Sequence, residues 1–436
     1  MLPKVKTPTQ KLKNYKYLIQ TLSGQFEEIE KLSRPLKDLK VNLVNSTPRG
    51  GGVAEILKSL VPLMKGVGLK ASWYTIPPRE DFFKITKEIH NALQGKSYDF
   101  PFSHRKKYLR HIERSAQLMK DMKADIWVVH DPQPAGVIQF LPHFHPSICR
   151  LHIDLTSSNL EVWKFMAGFL EMYDRVILSS KEYVKPEIRK KAVIIPPAID
   201  PLSPKNIPLG LRASKEILKN YGISPHKPLI SQVSRFDPWK DPLGVIKAYQ
   251  IAKKKIPDLQ LVLVGFFLAR DDPEAMKVYV GVKKEAEKDP DIFLFADPHY
   301  LGSLKIHVFV NAVQTASDII LQKSIREGFG LTCAEAMWKR KAVIGGNAGG
   351  IKIQIKDGQN GFLVSSPVQA AEKIVKLIQN PKLCQSLGEN AHQTVKEKFL
   401  MPRLLRDYLK LFRKLILKEN KEEQRNKEIM GILASY

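Results

Sequence analysis

Cysteine and long apolar runs are both scarce in this chain of 436 residues. Its three cysteines, Cys149, Cys333 and Cys384, are widely spaced and contain no CxxC pair, which argues against a disulfide framework and against a cysteine-based zinc site. No apolar run approaches the ~20 residues that span a bilayer. The basic N-terminus lacks the apolar core of a secretory signal, so we expect a cytoplasmic protein.

Acidic residues are too few to balance the basic ones. Lys and Arg number 70 against 44 Asp and Glu, which gives a formal net charge of +26. Such a charge favours anionic partners, namely phosphates, nucleic acids or acidic membrane surfaces. The charge is dispersed and no recognised nucleic-acid-binding module is present, so a protein that binds nucleic acid or another anionic surface is the minor hypothesis. Hydrophobic residues make up 43% of the chain, enough for two sizeable cores.

Short runs rich in Val and Ile recur along the chain, each followed by a turn and a helical period. Runs without polar alternation are typical of strands covered on both faces. Strands that alternate with helices, such as those over 53–68 and 241–255, predict an α/β fold of doubly wound parallel sheets. The predicted strands lie at residues 40–46, 125–131, 147–155, 174–180 and 191–197, and then at 228–236, 259–267, 291–296, 318–324 and 341–347.

This alternation occurs twice, and a proline-rich connector over residues 196–210 separates the two halves. We place the boundary near 205–220 and expect ligands at the carboxyl ends of the strands, in a cleft between two Rossmann-like domains. Apolar residues at helical spacing near the C-terminus predict a helix that packs back on the first domain, and the charge density beyond Lys418 predicts a frayed tail. The predicted divisions are 1–210, 211–395 and 396–436.

Two features of the first half lie where predicted strands end. The segment 49–52 holds three consecutive glycines between a strand and a helix, so its backbone can approach a phosphate or a sugar, although such turns are also purely structural. Asp131, preceded by His130, and His152 follow two further strands. Each could be structural alone, but two His/Asp clusters at neighbouring strand ends favour a functional role. Their spacing matches no zinc pattern.

The second half carries two charged motifs. Arg235 and Lys240 follow a predicted strand and could neutralise a diphosphate, or they could be solvated surface charges. Glu327 follows another strand and stands beside a Gly-Phe-Gly loop, where a carboxylate can accept hydrogen bonds from sugar hydroxyls. A helix is predicted to begin near Thr332. Glu335 would then complete a capping box with Thr332, which is a structural explanation for Glu335 but not for Glu327.

These motifs carry a family resemblance. Glu327 and Glu335, around Gly-Phe-Gly, resemble the Glu-x7-Glu motif of retaining glycosyltransferases with the two-Rossmann GT-B fold. Arg235 and Lys240, within SRFDPWKD, resemble that family's pyrophosphate-binding pair. Segments that include CRLHIDLT and HDPQPAG are most similar to the trehalose glycosyltransferring synthases and trehalose phosphorylases. The matching segments span about 40 to 365.

The resemblance implies a role for each motif residue of the second half. Arg235 and Lys240 would hold the donor diphosphate. Glu335 would bind the ribose hydroxyls, and Glu327 would bind the donor glucose. The backbone amides expected to contribute are those of Gly328, Phe329 and Gly330 at the glucose and those of Leu331 and Thr332 at the phosphate.

The same resemblance assigns Asp131 and His152 to the sugar site and Gly51 and Gly52 to the scissile side. It implies a trehalose synthase that moves glucose reversibly from ADP- or UDP-glucose to glucose, with a trehalose phosphorylase using glucose 1-phosphate as the alternative. No cofactor and no metal site are expected, because the fixed cations can neutralise the diphosphate, although Mg²⁺ could stimulate. We also expect a homodimer, no stable membrane insertion and no nucleic-acid partner.

Overall fold

Two structural units make up the chain. The computed structural model describes residues 1–16, 18, 22–267 and 273–434, with backbone alone from residue 418 onward. The first unit contains Met1–Pro196 and the C-terminal segment from Met401, and the second contains Pro197–Leu400.

The first unit is built on a seven-stranded sheet with the order β1-β3-β2-β4-β5-β6-β7. All of its pairings are parallel except that of β1 with β3. The strands β2, β4 and β5 are almost wholly buried, which explains their apolar, non-alternating sequences. The strands are β1 Lys4–Val5, β2 Lys40–Asn45, β3 Lys70–Thr75, β4 Ile126–His130, β5 Ser147–Arg150, β6 Arg175–Leu178 and β7 Ala192–Ile194.

Helices cross between the parallel strands of this sheet and cover it. One hydrophobic core lies between the sheet and the helices α4, α5 and α7. The helices of this unit are α1 Lys13–Lys16, α2 Ser23–Ser33, α3 Gly51–Gly66, α4 Glu80–Leu93, α5 Phe102–Met119, α6 Pro132–Ala135, α7 Leu160–Leu170 and, from the chain end, α16 Met401–Ala434.

The second unit has a six-stranded, wholly parallel sheet with the order β10-β9-β8-β11-β12-β13. One core packs it against α9, α10 and α14, and a second packs the other face against α8 and α11. Its strands are β8 Leu229–Val233, β9 Gln260–Val264, β10 Ile292–Phe295, β11 Ile319–Gln322, β12 Ala342–Gly346 and β13 Phe362–Val364. Its helices are α8 Leu211–Lys219, α9 Pro242–Lys253, α10 Pro273–Ala286, α11 Ile306–Ala316, α12 Leu331–Trp338, α13 Gly349–Lys352, α14 Pro367–Ile378 and α15 Pro381–Lys398.

The predicted fold class, two Rossmann-like parallel-sheet domains, is confirmed, and each of the ten predicted strands exists. Three strands were not predicted. In β3 the polar residues Ser72 and Thr75 interrupt the apolar run, while β1 and β13 are too short for a periodic signal.

The connector belongs to the second unit, so the division at Pro197 lies earlier than the predicted 205–220. Its Ile199 forms a β-bridge with Leu400. The Asn311 side chain donates from Nδ2 to the carbonyls of Pro204 and Ile207, at 3.1 and 2.9 Å. Prolines mark an irregular segment in the sequence, but only these hydrogen bonds decide which unit holds it.

The C-terminal helix α16 returns to the first unit, as predicted, and packs against α2 and α3. Arg150, buried at the end of β5, donates from Nη1 to the Tyr408 hydroxyl at 2.9 Å and from Nη2 to the Ile195 carbonyl at 3.1 Å. The backbone of α16 continues as helix to Ala434, through the segment predicted to fray. Ser435 and Tyr436 lie outside the described residues.

Throughout the described part of the chain, no helix is both long enough and apolar enough to cross a membrane.

Two helical glycines provide a matched test of this packing. A Cβ at Gly388, in α15, would lie 2.1 Å from the Arg340 carbonyl oxygen, whereas a Cβ at Gly168, in α7, meets no atom within 4 Å. We expect Gly388→Ala to destabilise the protein by about 1–3 kcal/mol, because neither backbone can yield without moving an element. Gly168→Ala should be neutral or stabilising by up to about 1 kcal/mol, because alanine favours helix. Equal thermal unfolding of the two variants would contradict the packing described here.

Candidate active site

The motif loops of the second unit follow the two strands between which its strand order reverses. The strands β8 and β11 are hydrogen-bonded neighbours, and ligands of open parallel sheets bind outside the carboxyl ends at such a reversal. Lys240 follows β8 and Glu327 follows β11. The Lys240 Nζ lies 2.5 Å from the Glu327 Oε2, and both side chains are largely buried. The structure thus brings two separately predicted residues into one ion pair.

Lys240 is positioned by the turn that carries it. The Asp237 carboxylate accepts a hydrogen bond from the Trp239 N–H at 3.0 Å, and the Asp237 carbonyl accepts one from the Lys240 N–H at 2.9 Å. Gln232, on β8, donates from Nε2 to the Lys240 carbonyl at 2.8 Å. These bonds fix the backbone of Lys240, so its ammonium points to Glu327 without a search over loop conformations.

Arg235, the second predicted cation, is in a different environment. Its Nη2 lies 3.3 Å from the Asp237 Oδ2, and more than half of its side chain is exposed. An exposed guanidinium can reach an anionic ligand with little desolvation. Lys240 is therefore the preformed cation of the site, and Arg235 is the accessible one.

The loop after Glu327 ends in a left-handed residue that opens a helix. Gly330 has φ +87° and is the N-cap of α12, which begins at Leu331. The predicted capping box is therefore wrong: Thr332 lies inside the helix and donates from Oγ1 to the Gln322 Oε1 at 2.9 Å. The N-cap Gly330 has no side chain that could cap this helix. Its first N–H groups, including those of Leu331 and Thr332, have no intrahelical acceptor and suit an anion.

A close backbone approach holds the Gly-Phe-Gly loop. A Cβ at Gly350 would lie 2.4 Å from the Phe329 Cα, so only glycine allows α13 to come this near. The Gly350 N–H donates to the Glu327 carbonyl at 2.8 Å. Gln354 donates from Nε2 to the carbonyls of Phe329 and Gly330, at 2.5 and 3.2 Å. The loop backbone is thus prearranged before any ligand binds.

Glu335 is buried on the same helix, and one of its oxygens has no partner. Its side chain is only 7% exposed, and its Oε2 makes no hydrogen bond with the described residues. The Lys205 ammonium lies 4.0 Å from the Oε1. A buried carboxylate oxygen without a donor is costly, which favours a role in accepting ligand hydroxyls over a structural role.

Another lysine, Lys339, connects the helix that carries Glu335 to the connector. Lys339 donates from Nζ to the Gln314 Oε1 at 2.9 Å, the Asn206 Oδ1 at 3.2 Å and the Glu335 carbonyl at 3.2 Å. Burial lowers the pKa of Lys339 to about 8, the Glu335 carboxylate opposes this shift, and the Lys205 ammonium adds to it. These contacts fasten the connector to α12 and so place Lys205 near Glu335.

In the first unit the two predicted His/Asp clusters come together. The Asp131 Oδ1 accepts a hydrogen bond from the His152 N–H at 2.7 Å. The His130 Nδ1 lies 3.1 Å from the His152 Nε2, and the two rings face each other edge to edge, with their planes 16° apart and their centroids 5.4 Å apart. Asp131 has φ +68°, a strained conformation for a residue other than glycine. Strain of this kind is a mark of functional sites.

Burial shifts the titration of this cluster. It lowers the pKa of His130 to about 3 and that of His152 well below its usual value, and the Arg150 cation adds to both shifts. It raises the pKa of Asp131 to about 7, against the opposing effects of the His152 N–H and Arg150. Both imidazoles are therefore neutral at physiological pH.

The glycine turn lies where the sequence predicts it. The helix α3 begins at Gly51, with Gly50 as N-cap, and both residues have positive φ values, +74° at Gly50 and +76° at Gly51. Open space surrounds both positions, so glycine is required by the backbone conformation and not by packing. Gly52 follows in the first turn of the helix.

Several residues of these clusters were not predicted. Lys205 and Lys339 belong to no recognised motif. Lys205 is far from Glu335 in the sequence, so only tertiary packing brings Lys205 and Glu335 together. Ser324 donates from Oγ to the Glu327 Oε2 at 3.2 Å.

Asp241, which was also not predicted, forms an ion pair with Lys323 and caps α9 by accepting a hydrogen bond from the Gly244 N–H at 3.1 Å. The Asp-Pro pair at 241–242 is a helix-start signal that could have identified Asp241.

Among the described residues, no group of three His, Cys, Asp or Glu side chains is arranged to hold a metal ion.

Comparison with known proteins assigns a family to each unit. Residues 43–185 match the family described as "Trehalose synthase, N-terminal domain". Residues 213–394 match "Glycosyl transferases group 1". The fold and these matches define the class: the protein is a glycosyltransferase of the GT-B type.

Individual relatives indicate which glycosyltransferases this chain is similar to in sequence. A trehalose synthase of Pyrococcus horikoshii is 44% identical over 411 residues, which cover 93% of this chain and 96% of that protein. The chain therefore belongs to the trehalose synthase family. A trehalose phosphorylase of Pleurotus pulmonarius is 27% identical over 390 residues, covering 79% of this chain and 52% of that protein.

A solved structure supports the fold. The α,α-trehalose-phosphate synthase (UDP-forming) from Burkholderia xenovorans, in complex with glucose 6-phosphate, superposes with a TM-score of 0.69. The two sequences are 13% identical, and the match covers 86% of this chain and 99% of that one.

The buried imidazoles predict a specific pH dependence of stability. The pKa of His130 is about 3 in the folded protein and about 6.5 in an unfolded chain. Below pH 6.5 the unfolded chain therefore binds a proton at His130 that the folded protein does not bind. Protonation favours the unfolded state, so the free energy of unfolding decreases as the pH falls from about 6.5 toward 3. Between pH 7 and pH 5 the free energy of unfolding should decrease by about 2 kcal/mol more in the wild type than in His130→Asn.

Denaturant titrations at several pH values measure this difference. Asp131, whose raised pKa acts with the opposite sign over the same range, is present in both proteins and cancels to first order. His226→Asn, at an exposed histidine, is the matched control and should leave the pH dependence unchanged. Parallel curves for the wild type and His130→Asn would refute the assignment.

Proposed function

We propose that the protein is a retaining trehalose synthase, which transfers a glucosyl group from a nucleoside diphosphate glucose to glucose and forms α,α-trehalose reversibly. The observation that carries this proposal is the Lys240–Glu327 ion pair beside the uncapped N-terminus of α12. The trehalose synthase relative, which aligns with nearly the whole chain, supports the choice of product.

The diphosphate of the donor is assigned to the positive groups of the second unit. Lys240 supplies a fixed ammonium, Arg235 supplies an accessible guanidinium, and the first N–H groups of α12 supply aligned dipoles. When the bond from the anomeric carbon to the diphosphate breaks, negative charge grows on the leaving oxygen. Charges that are already in place stabilise that change without reorganisation, and hence lower the barrier.

The hydroxyl groups of the donor are assigned to the two carboxylates. Glu327 is oriented by Ser324 and Lys240, and its carboxylate can accept a bond from a glucose hydroxyl. Glu335 has an unpartnered buried oxygen, which suits a ribose hydroxyl. A hydrogen bond from a ligand hydroxyl to that oxygen would offset the cost of its burial, which favours ligand binding there.

The bond-forming step is assigned to the acceptor hydroxyl. The contacts of two carboxylates argue against a nucleophilic role: Glu327 pairs with Lys240, and Asp131 accepts the His152 N–H. We therefore propose attack on the same face that the diphosphate leaves, with the departing phosphate accepting the proton of the acceptor hydroxyl. This course retains the α configuration. Asp131 and His152 are assigned to sugar binding, and Gly51 and Gly52 to the scissile side.

The second candidate is a trehalose phosphorylase, favoured by the 27% identical relative of that name. The same cations and helix N-terminus would hold inorganic phosphate and glucose 1-phosphate. We also propose, on the basis of the sequence, that Mg²⁺ stimulates the reaction, that the protein forms a homodimer and that it is cytoplasmic.

The reverse reaction distinguishes these candidates. Incubation of trehalose with ADP, UDP or GDP should yield the corresponding nucleoside diphosphate glucose, and incubation with inorganic phosphate should yield no glucose 1-phosphate. Phosphorus NMR identifies the sugar phosphate, and proton NMR of the forward product gives its anomeric configuration. Glucose 1-phosphate formed from phosphate alone would establish the phosphorylase instead, and no product from any of these would refute both.

Substitutions of the ion pair test the assigned roles. Glu327→Gln keeps the shape of the side chain but removes its charge and replaces one acceptor oxygen with a donor NH₂ group, so we expect kcat to fall by about 10²–10³-fold with the fold intact. Lys240→Ala should raise the KM for the donor and also lower kcat, because the ammonium both contacts the diphosphate and stabilises the charge that grows on the leaving oxygen. Glu389→Gln, in an exposed pair with Arg340, is the matched control and should retain full activity. Near-normal turnover of Glu327→Gln would invalidate its assignment.

A further inference from the structure

His130 lies directly behind the histidine that the proposed function assigns to sugar binding. It is 1% exposed at the end of β4, whereas His152 is half-buried. The 3.1 Å contact joins the Nδ1 of His130 to the Nε2 of His152. A ring this buried is not accessible to a ligand, so any effect of His130 on the chemistry must act through a residue that it contacts, such as His152.

The contact between the two rings requires one proton. Both imidazoles are neutral, because burial and the Arg150 cation lower their pKa values. A neutral imidazole has one N–H and one bare nitrogen. Either His130 donates from Nδ1, or His152 donates from Nε2, and these two arrangements leave opposite groups on the far side of each ring.

The surroundings of His130 decide between the arrangements. If His152 were the donor, His130 would carry its proton on Nε2, which is enclosed by protein and has no hydrogen-bond partner among the described residues. A buried N–H without an acceptor is rare and costly, and a bare acceptor nitrogen is tolerated more often. The nearby Arg150 cation also favours a lone pair over an N–H at this ring. His130 therefore donates from Nδ1.

A fixed donor at His130 fixes the tautomer of His152. Because its Nε2 accepts the bond from His130, the neutral His152 ring must carry its proton on Nδ1. The backbone of His152 is held independently, since its N–H donates to the Asp131 Oδ1 at 2.7 Å. Ring, backbone and tautomer are thus all set before a ligand arrives.

We propose that His130 is a positioning residue that holds His152 as its Nδ1–H tautomer, so that His152 presents a hydrogen-bond donor to an oxygen of the bound sugar. The tautomer itself is independent of the reaction catalysed, while the role toward a sugar rests on the proposed function. In the opposite tautomer His152 would present a bare nitrogen. Such a nitrogen can accept a hydrogen bond from a sugar hydroxyl but cannot donate one to a sugar oxygen.

The first experiment reads the tautomer directly in the resting protein. Nitrogen-15 NMR of the histidine-labelled full chain distinguishes protonated from bare ring nitrogens, and His152→Asn identifies the signals of His152. We expect His152 and His130 each to carry the proton on Nδ1 between pH 6 and pH 8. A proton on the Nε2 of His152 would overturn the proposal, whatever reaction the protein catalyses.

The second experiment separates positioning from packing. The side-chain NH₂ of His130→Asn lies near the original Nδ1 and can still donate to His152, whereas His130→Leu fills the space without a donor. We expect His130→Asn to retain kcat within about threefold and His130→Leu to lose about 10–100-fold, the usual range for a group that orients another. Thermal unfolding of both variants accounts for differences in stability.

The outcomes keep the two proposals apart. Equal losses in His130→Asn and His130→Leu would show a structural role only and overturn the positioning role. If the wild-type protein forms no trehalose from any donor, the proposed function fails, and the NMR experiment still decides the tautomer.

Discussion

An ion pair between two strand ends organises the second unit. Lys240 and Glu327 belong to loops far apart in the sequence, yet they meet because β8 and β11 are parallel neighbours whose carboxyl ends share one edge. Each charge is largely buried and would be costly alone, so each requires the other. The pair therefore links the turn that carries the cations to the glycine loop that precedes α12, and both loops are arranged before a donor binds.

Glycine makes this arrangement possible. Gly330 takes a left-handed conformation and lets the chain enter α12 without a side-chain cap, and Gly350 lets α13 approach the loop backbone. A capping box would have placed Thr332 at the helix start and used Glu335 internally. Its absence leaves the first amides of the helix without intrahelical acceptors and the Glu335 Oε2 without a hydrogen-bond partner among the described residues, and both are features that a bound ligand can satisfy.

The first unit applies the same principle with different groups. Burial makes two imidazoles neutral and one carboxyl group weakly acidic at the ends of β4 and β5. The nearby Arg150 cation lowers the pKa of both imidazoles, and Arg150 also donates a hydrogen bond to the Tyr408 hydroxyl of the C-terminal helix. The return of α16 to this unit therefore supports the backbone next to the cluster, which gives the C-terminal helix a structural part in the site. The formal net charge of +26 comes from residues spread along the whole chain, whereas Arg150 is a single buried charge beside this cluster.

The sequence by itself determined the fold class, its ten main strands and the residues at the strand ends, because uninterrupted apolar runs and glycine turns are local signals. It also indicated Lys240, Glu327, Asp131 and His152 individually as candidate site residues. Only the tertiary structure decided which of them meet, that the connector belongs to the second unit, and that Lys205 lies near Glu335. The reason is physical: hydrogen bonds and ion pairs between distant segments depend on strand order and helix packing, and no local pattern of residues encodes a distance across a sheet.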